Sequence, residues 1–307
     1  MKKILVTGSS GTIGTRLCET LLEEGYEVVG VDWKENNWNK EVDNLTIKLD
    51  LRNKEEVLKK LPNDINIIIH LAANARVYDL VLDPSLARDN METTFNILEF
   101  SRINNIKKFI FASSRETYGN SEKTIYNESD VRIENCESPY TASKITGEAL
   151  VYAYKNCYDL DSIIFRFSNI YGMYDESDRV IPLFIKQCLE NKSLFIFGKD
   201  KLLDFTYIDD CVKGIILGIK NFQNLKNDVY NLAHGKGVSI FELAKKIKEL
   251  TKSNSELIIK DVRIGEVIKY VADTSKIKEK MGFVPETSIQ EGMEKTIYWY
   301  KNNYAFL

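Results

Sequence analysis

The chain has 307 residues, of which 44% are hydrophobic and 28% are charged, and its formal net charge at pH 7 is −3. This composition is typical of a soluble globular protein of one large or two modest domains, and the slightly negative charge gives no reason to expect nucleic acid as a partner. No apolar run approaches a signal-peptide core or a membrane span, so we expect a cytoplasmic protein.

Cysteines and histidines give no sign of a disulfide framework or a metal centre. The five cysteines are scattered singly, with no CxxC pair, which indicates reduced thiols. The two histidines, His70 and His234, have no spacing that resembles a ligand set, so we expect no metal site. His70 follows a predicted buried strand, which favours a structural role over a catalytic one.

A strand, a glycine-rich turn and a helix open the chain. Residues 4–6 are a short apolar run, the turn reads TGSSGTIG, and residues 16–24 have helical periodicity. In this context Gly8 allows a tight turn, Gly11 lets the backbone approach a pyrophosphate, and Gly14 lets the helix pack on the strand. The helix N-terminus would then face the phosphates of a dinucleotide.

The second predicted strand ends at an acidic residue that can select between dinucleotides. Residues 27–31 predict this strand, and Asp32 follows it at the distance where a carboxylate binds the ribose hydroxyls of NAD. Asp32 would repel a 2′-phosphate, so we expect NAD rather than NADP. Lys34 is a nearby cation that could tolerate that phosphate, and it weakens this preference.

Strands and helices continue to alternate, which predicts a doubly wound parallel sheet. Its ligands should gather at the carboxyl ends of the strands. The run at 65–69 is continuously apolar, as expected for a strand that is covered on both faces. The other predicted elements of this half are strands at 45–49, 108–112 and 162–168 and helices at 54–60 and 85–103.

A tyrosine and a lysine on one predicted helix are the candidate catalytic pair. Tyr140 and Lys144 are four residues apart, so they lie on one helix face. Pro139 fits the first turn of that helix, and Ser138 can cap it. A cation beside a tyrosine favours the phenolate and can lower the tyrosine pKa from its usual value of about 10. By themselves these two residues are equally consistent with an ordinary surface pair.

Five motifs in order, TGSSGTIG, HLAA, SSRETYG, YTASK and FRFSNIYG, resemble the extended short-chain dehydrogenase/reductase family over residues 2–300. Within that family they are similar to the nucleotide-sugar epimerases, dehydratases and decarboxylases. The resemblance implies an α/β fold with a Rossmann-type NAD-binding domain at 1–170, to which some later segments return. It also implies a smaller mixed domain at 171–307 that binds a nucleotide sugar, and a homodimer packed through the helices that begin near Ser85 and Tyr140.

The resemblance further implies a first chemical step that these enzymes share. Tyr140, as phenolate, takes the proton from the sugar 4-hydroxyl while the hydride on carbon 4 passes to tightly bound NAD. Ser114 hydrogen-bonds the same oxygen, and Lys144 also holds the nicotinamide ribose. The residues implied to contact NAD are Gly8, Gly11, Thr12, Ile13, Gly14, Asp32, Asp50, Leu51, Leu71, Ala72, Ala73, Tyr140 and Lys144.

Two positions distinguish the subclasses of this family. The 4,6-dehydratases have Asp-Glu directly after the hydroxyl residue, whereas this chain has Arg115, which does not give up a proton at working pH. A UDP-glucuronate decarboxylase keeps a glutamate at the position of Glu116, but it has an arginine where this chain has Leu203. A 4-epimerase needs neither extra residue, so a 4-epimerase of a UDP-hexose or UDP-hexuronate is the leading interpretation. A decarboxylase, a dehydratase and a non-catalytic NAD-binding protein stay open as alternatives.

The resemblance also implies residues that hold the nucleotide, with UDP expected ahead of dTDP and GDP. Asn169 matches an asparagine that contacts the substrate phosphates, and Arg263 matches a pyrophosphate arginine. The segments at 179–184 and 193–198, which include Arg179, resemble those that hold the base. Phe197 or Phe195 could stack on that base.

The sugar itself is the least determined part of the substrate. Arg115 could pair bidentately with the carboxylate of a uronic acid, or it could form an exposed ion pair with Glu116 at the strand end. The loops expected at 75–82 and 173–178 should set the size of the sugar pocket.

Overall fold

Fourteen strands and twelve α-helices lie within residues 2–303, the part of the chain that the computed structural model describes. In chain order the strands are β1 (Lys3–Thr7), β2 (Glu27–Asp32), β3 (Thr46–Lys48), β4 (Ile67–His70), β5 (Lys108–Ser114), β6 (Ile125–Tyr126), β7 (Asp161–Phe167), β8 (Asn169–Tyr171), β9 (Leu194–Phe197), β10 (Leu202–Tyr207), β11 (Asp228–Leu232), β12 (Gly237–Ser239), β13 (Leu257–Lys260) and β14 (Lys269–Ala272). The helices are α1 (Thr12–Glu23), α2 (Lys40–Asn44), α3 (Lys54–Lys60), α4 (Val77–Leu82), α5 (Ser85–Ile103), α6 (Pro139–Tyr158), α7 (Val180–Leu189), α8 (Ile208–Lys220), α9 (Phe222–Leu225), α10 (Ile240–Thr251), α11 (Ser275–Met281) and α12 (Ile289–Asn303).

The largest sheet has seven strands in the order β11-β7-β5-β4-β1-β2-β3. Every neighbouring pair in it is parallel. The strand order changes direction at β1 and β4, so the carboxyl ends of these strands flank the crevice where ligands bind in doubly wound sheets. This architecture confirms the Rossmann-type α/β fold.

The strands of this sheet are apolar throughout because helices cover both faces. In β1, Ile4 and Val6 join the core on one face, while Leu5 joins the core on the other, and none of the three is exposed. Helices α3, α5 and α6 contribute to the core that contains Leu5, and α1 and α8 pack together on the opposite face.

The remaining strands form smaller sheets. Strands β12, β10, β14 and β6 form a mixed sheet, to which β8 is joined through β10, and β13 pairs with β9. Strand β11 comes from the second half of the chain but forms an edge of the large sheet. We therefore propose a division near residue 170 in which β11 belongs to the NAD-binding unit.

Three boundaries differ from the sequence-based predictions in ways that affect the site. Helix α1 begins at Thr12, directly after the glycine-rich turn, rather than at residue 16. Strand β5 continues to Ser114, beyond the predicted end at 112. The prediction of a loop over 75–82 was wrong for 77–82, which forms α4 because its Leu80 is buried against Ala87 and Tyr140.

None of the helices between residues 2 and 303 combines the length and the apolar character that crossing a bilayer requires.

Candidate active site

One long cavity of about 930 Å³ lies along the carboxyl ends of the large sheet. It begins at the glycine-rich turn and at Asp32, and it ends at Arg263 and Glu266 in the smaller part of the protein. A space of this size and length can hold two elongated ligands end to end. All of the residues that the sequence assigned to catalysis, to the cofactor and to the substrate line it.

Ser114, Tyr140 and Lys144 meet in the middle of this cavity. Ser114 is the last residue of β5, and Tyr140 and Lys144 are one turn apart on α6. The Ser114 hydroxyl lies close enough to the Tyr140 hydroxyl to lower the Tyr140 pKa. All three residues are at most 8% exposed. Their placement therefore fits a shared role in binding one substrate oxygen.

The local sequence explains how α6 presents this pair. Ser138 is the N-cap of α6, and its hydroxyl accepts a 3.2 Å hydrogen bond from the Thr141 backbone N–H. Pro139 occupies the first helical position, where it costs no hydrogen bond. The cap sets where the helix begins, and so it sets where Tyr140 points.

The pKa of Tyr140 is raised in this structure, not lowered as expected from the neighbouring lysine. Burial raises the pKa of Tyr140 to about 12, and the hydrogen bond from Ser114 and the charges of Arg179 and Arg115 only partly oppose that rise. The Lys144 ammonium donates a 2.8 Å hydrogen bond to the carbonyl oxygen of Ala112. It lies 5.8 Å from the centre of the Tyr140 ring and makes no hydrogen bond to its hydroxyl.

Lys144 is itself strongly affected by its surroundings. Burial lowers the pKa of Lys144 to about 8, while the charge of Glu148 one turn further along α6 acts in the opposite direction. A lysine in this state carries its charge at neutral pH and loses it in mildly alkaline solution. Its charge is thus sensitive to the residues around it.

The glycine-rich turn has the shape of a phosphate cradle. Gly8 has φ +74°, and a Cβ there would lie 2.9 Å from the Ala72 backbone nitrogen. A Cβ on Gly14 would lie 1.9 Å from the Gly8 carbonyl oxygen. No side chain caps the N-terminus of α1, at Gly11 and Thr12, which faces the cavity. The uncapped backbone N–H groups at the start of α1, together with the positive end of its helix dipole, fit a pyrophosphate.

Asp32 and Asp50 lie where the adenosine half of a dinucleotide would extend. The Asp32 carboxylate accepts hydrogen bonds of 3.0 Å from the backbone N–H groups of Ser10 and Lys34. Each of its oxygens keeps a free lone pair for a ribose hydroxyl. Asp50 is held by Arg52, which also pairs with Asp89 and lies over the ring of Trp33.

His70 is buried and takes no part in the cavity. Its two ring nitrogens are hydrogen-bonded to the hydroxyls of Thr7 and Thr94, at 2.7 and 3.2 Å. Burial lowers the pKa of His70 to about 3. It is therefore a neutral structural histidine that links β1, β4 and α5.

Arg115 and Glu116 form a buried ion pair beside Ser114, not the exposed pair considered from the sequence. Arg115 Nη2 lies 2.6 Å from Glu116 Oε1, with side-chain exposures of 11% and 4%. Burial raises the pKa of Glu116, and the charge of Arg115 opposes this. Arg115 Nη1 and Glu116 Oε2 have no hydrogen-bond partner.

Two expected nucleotide contacts are already engaged with protein atoms. The Asn169 side chain donates to the Asp204 carbonyl oxygen at 2.8 Å and accepts from Arg115 Nε at 3.1 Å. It thereby holds Arg115 in place and keeps one amide N–H for another partner. Phe197 has the Arg263 guanidinium 3.8 Å from its ring centre, so one face of the ring is covered.

Sequence reasoning missed two features of this end of the cavity. Tyr78 on α4 lies against the other side of Arg263, with 5.0 Å between the guanidinium and the ring. Lys201, which pairs with Glu266 at 2.8 Å, lies two residues before Leu203. Lys201 precedes the first residue of β10, and both Lys201 and Leu203 line the cavity, so the cation two residues before Leu203 was the signal that sequence offered.

Comparison with known proteins shows the family of the chain. Residues 4–233 match the model of the NAD dependent epimerase/dehydratase family. The chain is 34% identical over 310 residues to a putative UDP-glucose 4-epimerase of Methanocaldococcus jannaschii, with 98% of this chain and 99% of that protein covered.

Two solved structures are similar over almost their whole length. The UDP-glucose 4-epimerase of Thermotoga maritima, solved with UDP-glucose, has a TM-score of 0.89 at 30% identity, covering 98% of this chain and 99% of that one. The UDP-glucuronic acid 4-epimerase of Bacillus cereus, solved with UDP-glucuronic acid and NAD, has a TM-score of 0.90 at 30% identity, covering 98% and 100%.

The sheet and its cavity define a dinucleotide-binding protein with room for a second ligand, and the chain belongs to the NAD-dependent epimerase/dehydratase family. It is accordingly an enzyme of the epimerase/dehydratase class, and its cofactor is NAD.

Proposed function

We propose that this protein is an NAD-dependent 4-epimerase of a UDP-sugar. The observation that carries the proposal is the meeting of Ser114, Tyr140 and Lys144 halfway along a cavity that runs from the glycine-rich turn to Arg263. The two ends suit a dinucleotide and a nucleotide sugar, and the reacting groups lie where the two ligands would meet.

The chain itself holds and moves one proton in this reaction. Ser114 and Tyr140 bind the sugar 4-hydroxyl, and the Tyr140 oxygen takes its proton and later returns it. NAD, when bound, accepts the hydride from carbon 4 and gives it back to the other face of the sugar. Lys144 binds the nicotinamide ribose and supplies a positive charge. There is no net oxidation, because the cofactor returns to its starting state.

The diphosphate of the substrate is proposed to bind near Arg263. Arg263 is a cation that lies between two aromatic rings and makes no ion pair with another of residues 2–303. Its guanidinium can bind a phosphate bidentately. Lys201 supplies a second cation close to Leu203, the position at which the family resemblance implies an arginine. Glu266 shares the charge of Lys201.

Arg179 is proposed to border the nucleotide. It is the N-cap residue of α7, and its guanidinium pairs with Asp175 at 2.9 Å. For Phe197 to stack on the base, Arg263 must leave the ring face that it now covers. Phe195 is the more open alternative, because 41% of its surface is exposed.

A UDP-glucuronate decarboxylase is the second candidate. Glu116 favours it, since this buried carboxyl lies in the cavity close enough to influence the Tyr140 pKa. A 4,6-dehydratase has less support because Arg115 occupies the position of the acidic residue, and a guanidinium cannot act as the acid. A non-catalytic NAD-binding protein has no need of the Ser114, Tyr140 and Lys144 set.

The deciding experiment is incubation of the purified enzyme with UDP-glucose, UDP-N-acetylglucosamine and UDP-glucuronate in separate reactions. NMR and mass spectrometry of the products should show unchanged mass and an inverted carbon 4. Loss of carbon dioxide or of water would refute the epimerase in favour of the corresponding alternative. The Tyr140→Phe variant, loaded with NAD, serves as the matched inactive control.

We also propose a cytoplasmic homodimer that associates through α5 and α6. These helices pack side by side on one face of the large sheet. Phe95 and Ile103 on α5 are 40% and 50% exposed, and Tyr158 at the end of α6 is 46% exposed. Light scattering measures the mass directly, and a monomer of 35.3 kDa at micromolar concentration would rule the dimer out.

A further inference from the structure

Tyr174 joins a cavity-lining segment to the helix at the cofactor end. It is the first residue of segment 174–179, which lines the cavity between β8 and α7. Thr12, the first residue of α1, donates its hydroxyl hydrogen to the Tyr174 carbonyl oxygen at 3.2 Å. The Tyr174 hydroxyl donates to Glu19 Oε1 at 2.8 Å. Because Thr12 and Glu19 lie about 10 Å apart along the helix, Tyr174 is held on α1 at two separate points.

These contacts hold a backbone conformation that tyrosine rarely adopts. Tyr174 has φ +64°, in the left-handed region. Its ring packs against Trp38 and Trp299, with centroid distances of 6.3 and 5.6 Å. The Glu19 side chain that accepts from its hydroxyl is only 13% exposed. A residue in this conformation persists only where its surroundings fix it, so the contacts of Tyr174 set where segment 174–179 begins.

The rest of the segment passes this position on to a cation in the cavity. The Asp175 carboxylate accepts from the backbone N–H and the hydroxyl of Ser177 at 3.0 and 2.6 Å. It also pairs with the Arg179 guanidinium at 2.9 Å. The Ser177 hydroxyl oxygen accepts from Arg179 Nε at 3.1 Å. Arg179 is close enough to Tyr140 for its charge to lower the Tyr140 pKa. The orientation of Arg179 beside the catalytic tyrosine thus depends on how segment 174–179 is held.

We propose that Tyr174 is a positioning residue that transmits occupancy of the NAD cradle to the substrate side of the cavity. The uncapped start of α1, at Gly11 and Thr12, is where the NAD pyrophosphate binds in this proposal. A bound pyrophosphate restrains Thr12, and the contact of Thr12 with Tyr174 then restrains segment 174–179. A nucleotide sugar that enters next loses less conformational entropy, so NAD strengthens its binding. The effect on the sugar rests on the proposed function, whereas the effect on the segment does not.

Hydrogen–deuterium exchange tests the effect on the segment with NAD as the only ligand. The backbone N–H groups of Ser177 and Arg179 are hydrogen-bonded within the segment, so their exchange rates report on its order. NAD should slow these rates in the wild type. Tyr174→Phe keeps the ring but removes the bond to a charged acceptor, so the NAD-loaded variant should exchange roughly tenfold faster than the NAD-loaded wild type.

Variants of the acceptor separate the hydrogen bond from general packing. Glu19→Leu removes the acceptor and should reproduce the exchange rates of Tyr174→Phe. Glu19→Gln keeps an oxygen that can accept from the Tyr174 hydroxyl, so it should exchange like the wild type. Tyr298→Phe, at a position that is 73% exposed, loses a hydroxyl away from the segment and is the matched control. If Tyr174→Phe does not fold, as judged by NAD retention, Glu19→Leu decides.

Steady-state kinetics with UDP-glucose tests the effect on the substrate. Tyr174→Phe should raise KM by about tenfold while kcat stays close to that of the wild type, because the catalytic residues are untouched. Segment exchange that responds neither to NAD nor to Tyr174→Phe would overturn the inference, as would faster exchange with an unchanged KM. If the wild type turns over no UDP-sugar, the epimerase proposal fails, and the exchange rates alone decide the role of Tyr174.

Discussion

Arg166 on β7 and Glu148 on α6, one turn beyond Lys144, form a two-point ion pair, with Nε–Oε1 and Nη2–Oε2 distances of 2.8 and 2.6 Å. The Ser113 hydroxyl donates to the same carboxylate at 2.5 Å. Strand β5 therefore contacts successive turns of α6, since the Ala112 carbonyl binds Lys144 and the Ser113 side chain binds Glu148. Glu148 thus links α6, which carries Tyr140, both to β7 through Arg166 and to β5, which carries Ser114, through Ser113.

Glu148→Gln should weaken this connection and leave Arg166 as a buried cation without a counter-charge. We expect the free energy of unfolding to fall by about 3 kcal/mol. Because the Glu148 charge raises the pKa of Lys144, the alkaline limb of the pH–kcat profile should also move to lower pH. Urea unfolding and a pH profile check the two effects. Glu286→Gln breaks an exposed pair and should change neither; a pH profile identical to that of the wild type would refute the positioning role.

Tyr140→Phe should abolish turnover while leaving NAD binding within about twofold of the wild type. The substitution removes only the hydroxyl that exchanges the proton, and loss of such a group costs roughly a factor of 10²–10⁴ in rate. Product NMR and NAD titration measure the two quantities. Tyr298→Phe, at a position that is 73% exposed, is the matched control and should retain full turnover. Unchanged turnover in Tyr140→Phe would remove Tyr140 from the mechanism.

Lys144→Met should stabilise the NAD-free protein at pH 6–7 while removing activity. The native pKa of Lys144, about 8, is lower than its ordinary value of 10.5, so the folded state bears the cost of a buried charge below pH 8. That cost disappears as the pH rises from 8 to 10.5, because the native lysine is then neutral. The lowered pKa corresponds to a cost of about 3 kcal/mol in the free energy of folding when Lys144 is charged. Loss of the hydrogen bond to the Ala112 carbonyl would offset about 1 kcal/mol of the stability gained by removing that charge.

Urea unfolding at pH 6.5 and at pH 9.5 measures this difference. The gain from Lys144→Met should be about 2 kcal/mol at the lower pH, by the balance of desolvation and hydrogen bonding, and smaller at the higher pH. Lys213→Met, at an exposed lysine, should show no pH-dependent gain. A destabilised Lys144→Met at pH 6.5 would contradict the assignment of a buried, costly charge.

Asp32→Ala should weaken the binding of NAD more than the binding of NADP. The carboxylate is expected to bind the ribose hydroxyls of NAD, and a hydrogen bond to a charged group corresponds to roughly a 10- to 100-fold change in affinity. For NADP the loss is offset because repulsion of the 2′-phosphate disappears as well. Titration with each dinucleotide gives the two affinities. Glu35→Ala removes an exposed acidic residue nearby and controls for net charge; equal losses for NAD and NADP would remove the reason for choosing NAD.

The local sequence pattern was enough to predict those features of this protein that depend on residues close together in the sequence. The positions of Gly8 and Gly14 follow from steric limits within one turn, where an added Cβ would meet backbone atoms. The four-residue spacing of Tyr140 and Lys144 places them on one helix face whatever the rest of the chain does. The apolar run of β4 required cover on both faces, which predicted the parallel sheet.

Only the tertiary structure decided which charges meet and which are buried. Arg115 and Glu116 are adjacent in sequence, yet their burial depends on Asn169 and Tyr270 from distant strands. Arg263 lies against the rings of Phe197 and Tyr78, and these three residues come from three separate segments. The rise of the Tyr140 pKa came from burial, which no spacing reveals. Electrostatic energies depend on distance and solvent exposure in space, and these are set by the packing of the whole chain.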